Sequence, residues 1–229
     1  QTQKIGDNVL LFHVPLPVRF KVDGQAVNHT LPITKLAEDY YFPLAKAPQI
    51  VRIDPDLTLL AKITFAPPTG QLHAQLADAT DALGRQQAVE LLAKRKDKTS
   101  VEKLTHVLRN DSFYGVRIAA SRALRGIATD AAYEALAGST DQPNAKVRSQ
   151  VVSDIASQPK PGALPHLKRI LDGEKNPAIR AQIVSRLAGY EDRQANRLIN
   201  QALGQASFRN QIADAAISAL RKQNKPGNI

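Results

Sequence analysis

The sequence predicts a multi-domain α and β chain: an N-terminal antiparallel β-sandwich portion over residues 1 to 66, then an all-α solenoid over residues 67 to 229. Three observations predict it. Apolar residues recur at a period of about two in the first stretch and about 3.6 in the second. The breaker cluster Ala66-Pro67-Pro68-Thr69-Gly70 separates the two regimes. Beyond it an apolar-Arg pair recurs at Val116-Arg117, Val147-Arg148, Ile179-Arg180 and, degraded, Phe208-Arg209, with a weaker copy at Gly84-Arg85.

In the first part Val18, Phe20 and Val22 alternate with Arg19 and Lys21, the signature of a strand with one wet face. Asp23-Gly24 supplies residues that tolerate positive φ, so a hairpin joins that strand to residues 25 to 31. The apolar run at 9 to 14 and the segments 40 to 44, 49 to 54 and 61 to 65 are further strand candidates, separated by Pro43, Pro48 and Pro55. Pro15, Pro17 and Pro32 place their strands at edges or bulges. Five or six short strands make a sheet or half a sandwich, which is expected to be incomplete because it cannot cover both of its faces. Gln1-Thr2-Gln3-Lys4 has neither an initiator Met nor a signal-peptide apolar core, so the chain is expected to begin inside a longer polypeptide.

The second part reads as ten helices in five pairs: 71–81 with 84–95, 99–109 with 114–126, 130–138 with 145–157, 163–172 with 177–189, and 192–203 with 207–222. Thr99-Ser100, Asp130 and Asp192 mark starts, and Pro143, Pro159, Pro161, Gly173 and Pro177 punctuate gaps. In each pair the second helix carries apolar residues four and eight after its first: Ala120 and Leu124, Val151 and Ile155, Ile183 and Leu187, Ile212 and Ala216, and upstream Ala88 and Leu92. The arginines Arg85, Arg117, Arg148, Arg180 and Arg209 are spaced by 32, 31, 32 and 29 residues. A helix pair of that length cannot bury its own apolar face, so the pairs stack on one another as a solenoid.

Asn110-Asp111 followed by Val116-Arg117, with its counterparts, resembles the shorter kind of HEAT-like repeat, over most of residues 71 to 222. A second resemblance spans nearly the whole chain. Phe12-His13-Val14-Pro15-Leu16-Pro17-Val18-Arg19-Phe20, its hairpin, Pro48-Gln49-Ile50-Val51-Arg52-Ile53-Asp54-Pro55-Asp56 and Leu59-Leu60-Ala61-Lys62-Ile63 look like the β-sandwich that follows the catalytic domain of aminopeptidase N-type zinc metallopeptidases. In that family the sandwich hands over to a helical C-terminal domain, often of HEAT-like repeats. The resemblance implies a non-catalytic C-terminal region that caps a catalytic domain of the same polypeptide, controls peptide access and makes oligomer or protein contacts. Neither the H-E-x-x-H zinc motif nor the Gly-rich exopeptidase motif occurs here, so zinc is expected in the parent and no cofactor in this chain.

Charge is the outlier of composition. The chain carries a net +10 with a pI near 9.9, and residues 67 to 229 hold 24 Lys/Arg against 15 Asp/Glu. With no Cys there are no disulfides, thiolate metal sites or Cys nucleophiles, and no apolar run reaches the length of a membrane span. Among His13, His29, His73, His106 and His166, only Glu102 with His106 has metal-ligand spacing, and two ligands do not close a zinc site. The carboxylate pairs Glu38-Asp39, Asp54/Asp56 and Glu191-Asp192 lie at turns or a cap, where backbone hydrogen bonds are the ordinary role. No G-x-S-x-G elbow or phosphate-cradling loop occurs.

Basic residues are the remaining candidates. Lys94, Arg95, Lys96, Lys98 and Lys103 cluster where the first pair turns into the second, as a possible anion-binding group; Arg122 and Arg125 lie on the next pair, and Arg221, Lys222 and Lys225 crowd the C-terminus. Scattered aromatics disfavour nucleic acid, and a solvated face is the plainer reading of the charge. The five repeat arginines admit two readings, a row of functional guanidiniums or a structural register whose forks meet carboxylates or helix-end carbonyls; Asp111 and Asp141 favour the second. The expected function is the peptidase's C-terminal region, with a cytoplasmic location. A stand-alone HEAT-repeat protein-binding scaffold is the alternative, and a nucleic-acid-binding solenoid the third.

Overall fold

The computed structural model describes residues 1, 2, 6, 10 to 158 and 162 to 223. Gln3, Lys4, Val9, Pro159, Pro161 and Lys225 of the expectations above lie outside the described residues. The chain packs as two compact units, Gln1–Leu91 and Leu92–Ile229.

In the first unit, β1 (Val14–Val22) and β2 (Gln25–Ile33) form the predicted hairpin, and β3 (Ile50–Ile53) pairs antiparallel with the other side of β1, giving the order β2-β1-β3. Asp23 and Gly24 take left-handed φ of 48° and 81°, which lets two residues close the hairpin with the twist of its strands. Val18 and Phe20 are buried on one face of the sheet, and Ile50 and Arg52 on the other. β1 is the central strand, not the edge or bulged strand its prolines predict: β3 pairs only with the stretch from Val18 to Lys21, and beyond it the Pro17 carbonyl, which needs no N–H, accepts from the Asp54 amide at 2.7 Å.

The sandwich is thus a single three-stranded sheet among the described residues, and the strands expected at 40–44 and 61–65 do not form. Segment 40–44 serves as cover instead: Phe42 packs on Phe20 and His29, with ring centroids 4.6 and 5.1 Å apart, and the Tyr40 hydroxyl donates to the Pro32 carbonyl at 2.7 Å. Pro43 lacks the N–H a ladder needs there. Residues 61–65 are mostly exposed, and Ala61, Lys62 and Ile63 line a cleft with Val14, Pro15 and Leu16 of β1 without pairing to it.

The same unit holds α1 (Thr69–Ala77) and most of α2 (Ala82–Ala93), and ion pairs tie the sheet to this helical segment. Lys21 Nζ meets Asp78 at 2.7 Å. Arg52, 3% exposed, pairs with Asp81 and donates to Gln87 Oε1 at 2.9 Å and to the Pro55 carbonyl at 2.6 Å. Asp81 meanwhile accepts from the Gly84 amide at 2.7 Å and so starts α2.

Among the described residues the second unit contains four pairs, α3 (Lys98–Asn110) with α4 (Tyr114–Ile127), α5 (Asp130–Ala137) with α6 (Ala145–Ala156), α7 (Ala163–Gly173) with α8 (Pro177–Leu187), and α9 (Arg193–Leu203) with α10 (Gln211–Gln223). Each second helix packs on the next, α4 on α6, α6 on α8 and α8 on α10. Apart from Phe208, the residues named by the apolar register are buried, among them Val116, Ala120, Leu124, Val147, Val151, Ile155, Ile179, Ile183, Leu187, Ile212 and Ala216. Caps differ in part from expectation. Asp97 caps α3 and Thr129 caps α5, each one residue before its helix, while Asn144, Asn176 and the expected Asp192 cap α6, α8 and α9.

The fifth copy departs from the pattern. Arg209 and Asn210 take left-handed φ of 52° and 54°, so α10 starts at Gln211 and not at 207, and Phe208 is turned out to 68% exposure. Ile212 takes the first buried position in its place.

Candidate functional site

Three of the repeat arginines are spent on structure in one common way. Arg148 presents a fork to Glu174, Nε at 2.8 Å and Nη2 at 3.2 Å, while its Nη1 donates to the carbonyls of Gln142 and Pro143 at 2.8 and 3.1 Å. Arg180 donates through Nη1 to the carbonyls of Leu171 and Glu174 at 2.9 and 3.0 Å, and through Nη2 to Gln205 Oε1 at 2.8 Å. Arg117 Nη1 reaches Gln142 Oε1 at 3.3 Å. Each guanidinium therefore bonds to a side chain in the loop of the following pair, 25, 26 and 25 residues on. Arg148 and Arg180 also close free carbonyls after the first helix of their own pair. Arg85, in the first unit, donates to the carbonyls of Asp78 and Ala79 at 2.8 and 3.0 Å, after α1. Arg209 lies over the ring of its own Phe208, 5.2 Å from the centroid, because the kink has moved it off the register.

The acceptors of this ladder were not singled out by sequence, although a polar residue 25 or 26 positions after Arg117, Arg148 and Arg180 is a readable signal. Gln142 and Glu174 are 3% and 7% exposed. Burial works against the Glu174 charge, but the Arg148 fork and the Asn176 amide outweigh it and hold the carboxyl below its usual range. Arg148 in turn is raised, first by its bond to Glu174. They line a cleft of about 580 Å³ with Asp141, Arg169 and Lys175.

Lys94, Arg95, Lys96, Lys98 and Lys103 are all exposed, on the loop before α3 and on its first turns. Lys98 lies 3.9 Å from Glu102, and Asp97 just before them caps the helix. Glu102 and His106 gather no third ligand, and no group of three or more His, Cys, Asp or Glu side chains placed to hold a metal ion occurs among the described residues. His106 Nδ1 lies 3.2 Å from Asn110 Nδ2. Asp54 holds the turn after β3, accepting from the amides of Thr58 and Leu59 at 2.9 Å each.

One cluster joins residues that sequence distance hides. Asp154 on α6 has no exposed surface, yet its carboxylate accepts from Ser121 Oγ at 2.7 Å and Gln150 Nε2 at 3.0 Å and meets Arg125 Nη1 at 3.2 Å. Arg122 donates through Nε and Nη2 to Gln150 Oε1 at 3.1 and 3.0 Å. Burial pushes the Asp154 carboxyl above its ordinary value, against the pull of Ser121, Gln150 and the two arginines. Next along, Ser149 Oγ donates to Gln182 Oε1 at 2.8 Å, which carries the polar seam from α6 to α8.

The positive charge is concentrated in this unit. Residues 92 to 229 hold 23 Lys/Arg and 12 Asp/Glu, net +11, whereas residues 1 to 91 hold 8 and 9, net −1. No described helix is long and apolar enough to cross a membrane.

Comparison with curated proteins finds no match. The family model for HEAT repeats matches residues 70–156, the stretch from α1 through α6, where the helix pairs and the arginine register are found.

Proposed function

We propose that the chain is a protein-binding scaffold whose working part is the HEAT-like helical region. The observation that carries this reading is the division of labour among its basic residues. Arg117, Arg148 and Arg180 are consumed in joints between pairs, which hold the second helices in a fixed stack, while Arg122, Arg125 and Lys146 stand on the exposed side of that stack. A rigid, ordered face of this kind lowers the ordering cost of association. The scaffold reading predicts that the purified chain captures a protein partner in a fixed ratio, read by light scattering after size exclusion. A chain that stays monomeric and alone against every extract tried would overturn it.

The second reading places the chain as the non-catalytic C-terminal part of an aminopeptidase N-like zinc metallopeptidase, with zinc and chemistry elsewhere in the parent. It rests on the resemblance of residues 12–20 and 48–63, and what favours it is uncovered apolar surface in the sheet unit. Phe12, Leu57 and Leu60 are 63%, 58% and 109% exposed, and Phe12 and Leu60 line an apolar cleft of about 690 Å³. On this reading the pure chain leaves an aminoacyl anilide intact; hydrolysis that survives repurification would sink it.

A further inference from the structure

We infer that the exposed face of α4, α6 and α8 is a docking surface for an extended peptide rich in Asp and Glu, anchored at Arg122 and Arg125. This deepens the scaffold reading and rests on it. The two arginines sit one helical turn apart on α4; Arg125 meets the buried carboxylate of Asp154 and Arg122 bonds to the neutral Gln150, so the cluster keeps a net charge of +1. Both are held in place. Arg122 is braced through Nε and Nη2 on Gln150, and Arg125 through Nη1 on Asp154. Their remaining N–H donors, Nη1 of Arg122 and Nε and Nη2 of Arg125, have no partner among the described residues and stand on exposed side chains. Guanidinium donors fixed before a ligand arrives lose little freedom when they grip a carboxylate.

The charge on this face is graded, which a merely solubilising face does not require. At the repeat positions of Arg122 the next two pairs carry Ser153 and Ser185, and at those of Arg125 they carry Ala156 and Ala188. At these two register positions the cations stand on α4 and small side chains follow on α6 and α8, whose exposed cations, Lys146 and Arg186, stand at other positions. Such a face complements a strand-like segment with its acids at one end and neutral residues along the rest. Nucleic acid would ask for cations repeated along the whole path and for stacking rings, and neither is present at those positions on α6 and α8.

The test is fluorescence anisotropy of the full chain with a fluorescein-labelled peptide of Gly and Ser ending in a run of Glu. Saturable binding is expected, weakened about tenfold or more by Arg122→Gln, which breaks no buried ion pair and leaves the melting curve unchanged. Arg125→Lys, which keeps the charge but loses the fork, is expected to weaken it as well. The double variant Lys94→Gln/Lys96→Gln removes more charge from an exposed loop and is expected to change affinity by no more than about twofold. Absence of saturable binding, or equal weakening by the loop variant and Arg122→Gln, overturns the proposal. So does tighter binding of a single-stranded oligonucleotide through Arg122, which would assign the face to nucleic acid. If a stoichiometric protein partner binds equally well to Arg122→Gln, this surface fails and the scaffold reading stands; if no partner forms, the scaffold reading itself fails.

Discussion

Asp154 and Glu174 are both buried carboxylates beside arginines, and they respond oppositely to their surroundings. Around Asp154 burial wins and the carboxyl is raised from its ordinary 3.8; around Glu174 the Arg148 fork and the Asn176 amide win and it is lowered from 4.5. A raised group lends stability that is complete below its unfolded value and is lost as pH climbs through its folded value. A lowered group lends stability that is complete above its unfolded value and is lost as pH falls through its folded one. Asp154→Asn should therefore flatten the part of the stability profile that declines just above the usual carboxylate range, at small cost elsewhere, as urea midpoints across pH will show. Asp154→Ala should cost about 1–3 kcal/mol at neutral pH, because Ser121 and Gln150 lose their acceptor while water still solvates half-exposed Arg125. Arg148→Ala strands the Glu174 carboxylate and two loop carbonyls, and should cost about 3 kcal/mol, with the loss shrinking in acid as Glu174 takes up a proton.

Within one element, the second helices show what the apolar-Arg motif does. The apolar residue opens the buried stripe, and in α6 and α8 the arginine behind it turns back to close the end of the helix before, while Arg117 of α4 reaches forward to Gln142. Leu124, with no exposed surface between neighbouring helices, tests the stripe: Leu124→Ala should lower stability by about 2–5 kcal/mol in chemical denaturation, the range found for a core leucine. Around Arg209 and Asn210 the motif has slipped, and two non-Gly residues sit in left-handed backbone. Arg209→Gly should relieve that strain and raise stability by roughly 0.5–1 kcal/mol, measurable as a small rise in melting temperature. The strand elements teach the opposite lesson. Residues 61–65 have strand-like composition but pair with no strand, and a strand exists only where another strand completes its ladder.

Across the whole molecule, charge and composition divide sharply, with a nearly neutral sheet unit and a strongly basic helical unit. The helical half was almost fully legible, since spacing of 3.6 and a repeat near 31 residues report helix, pairing and core face from local order alone. The site was less legible. Arg122 and Arg125 could be noted as basic, but their bracing by Gln150 and Asp154 spans 28 and 29 residues and depends on α4 lying against α6. The joint between sheet and first helix pair was hidden for the same reason, because Lys21 and Asp78 are 57 residues apart. What the amino-acid order determined by itself was everything carried by periodicity: two structural regimes, ten helices, the hairpin and the buried face of each second helix. Only the tertiary structure decided which strands found partners and which arginines were spent on joints or left braced at the surface. Those outcomes hang on contacts between distant segments, and short-range order does not encode them.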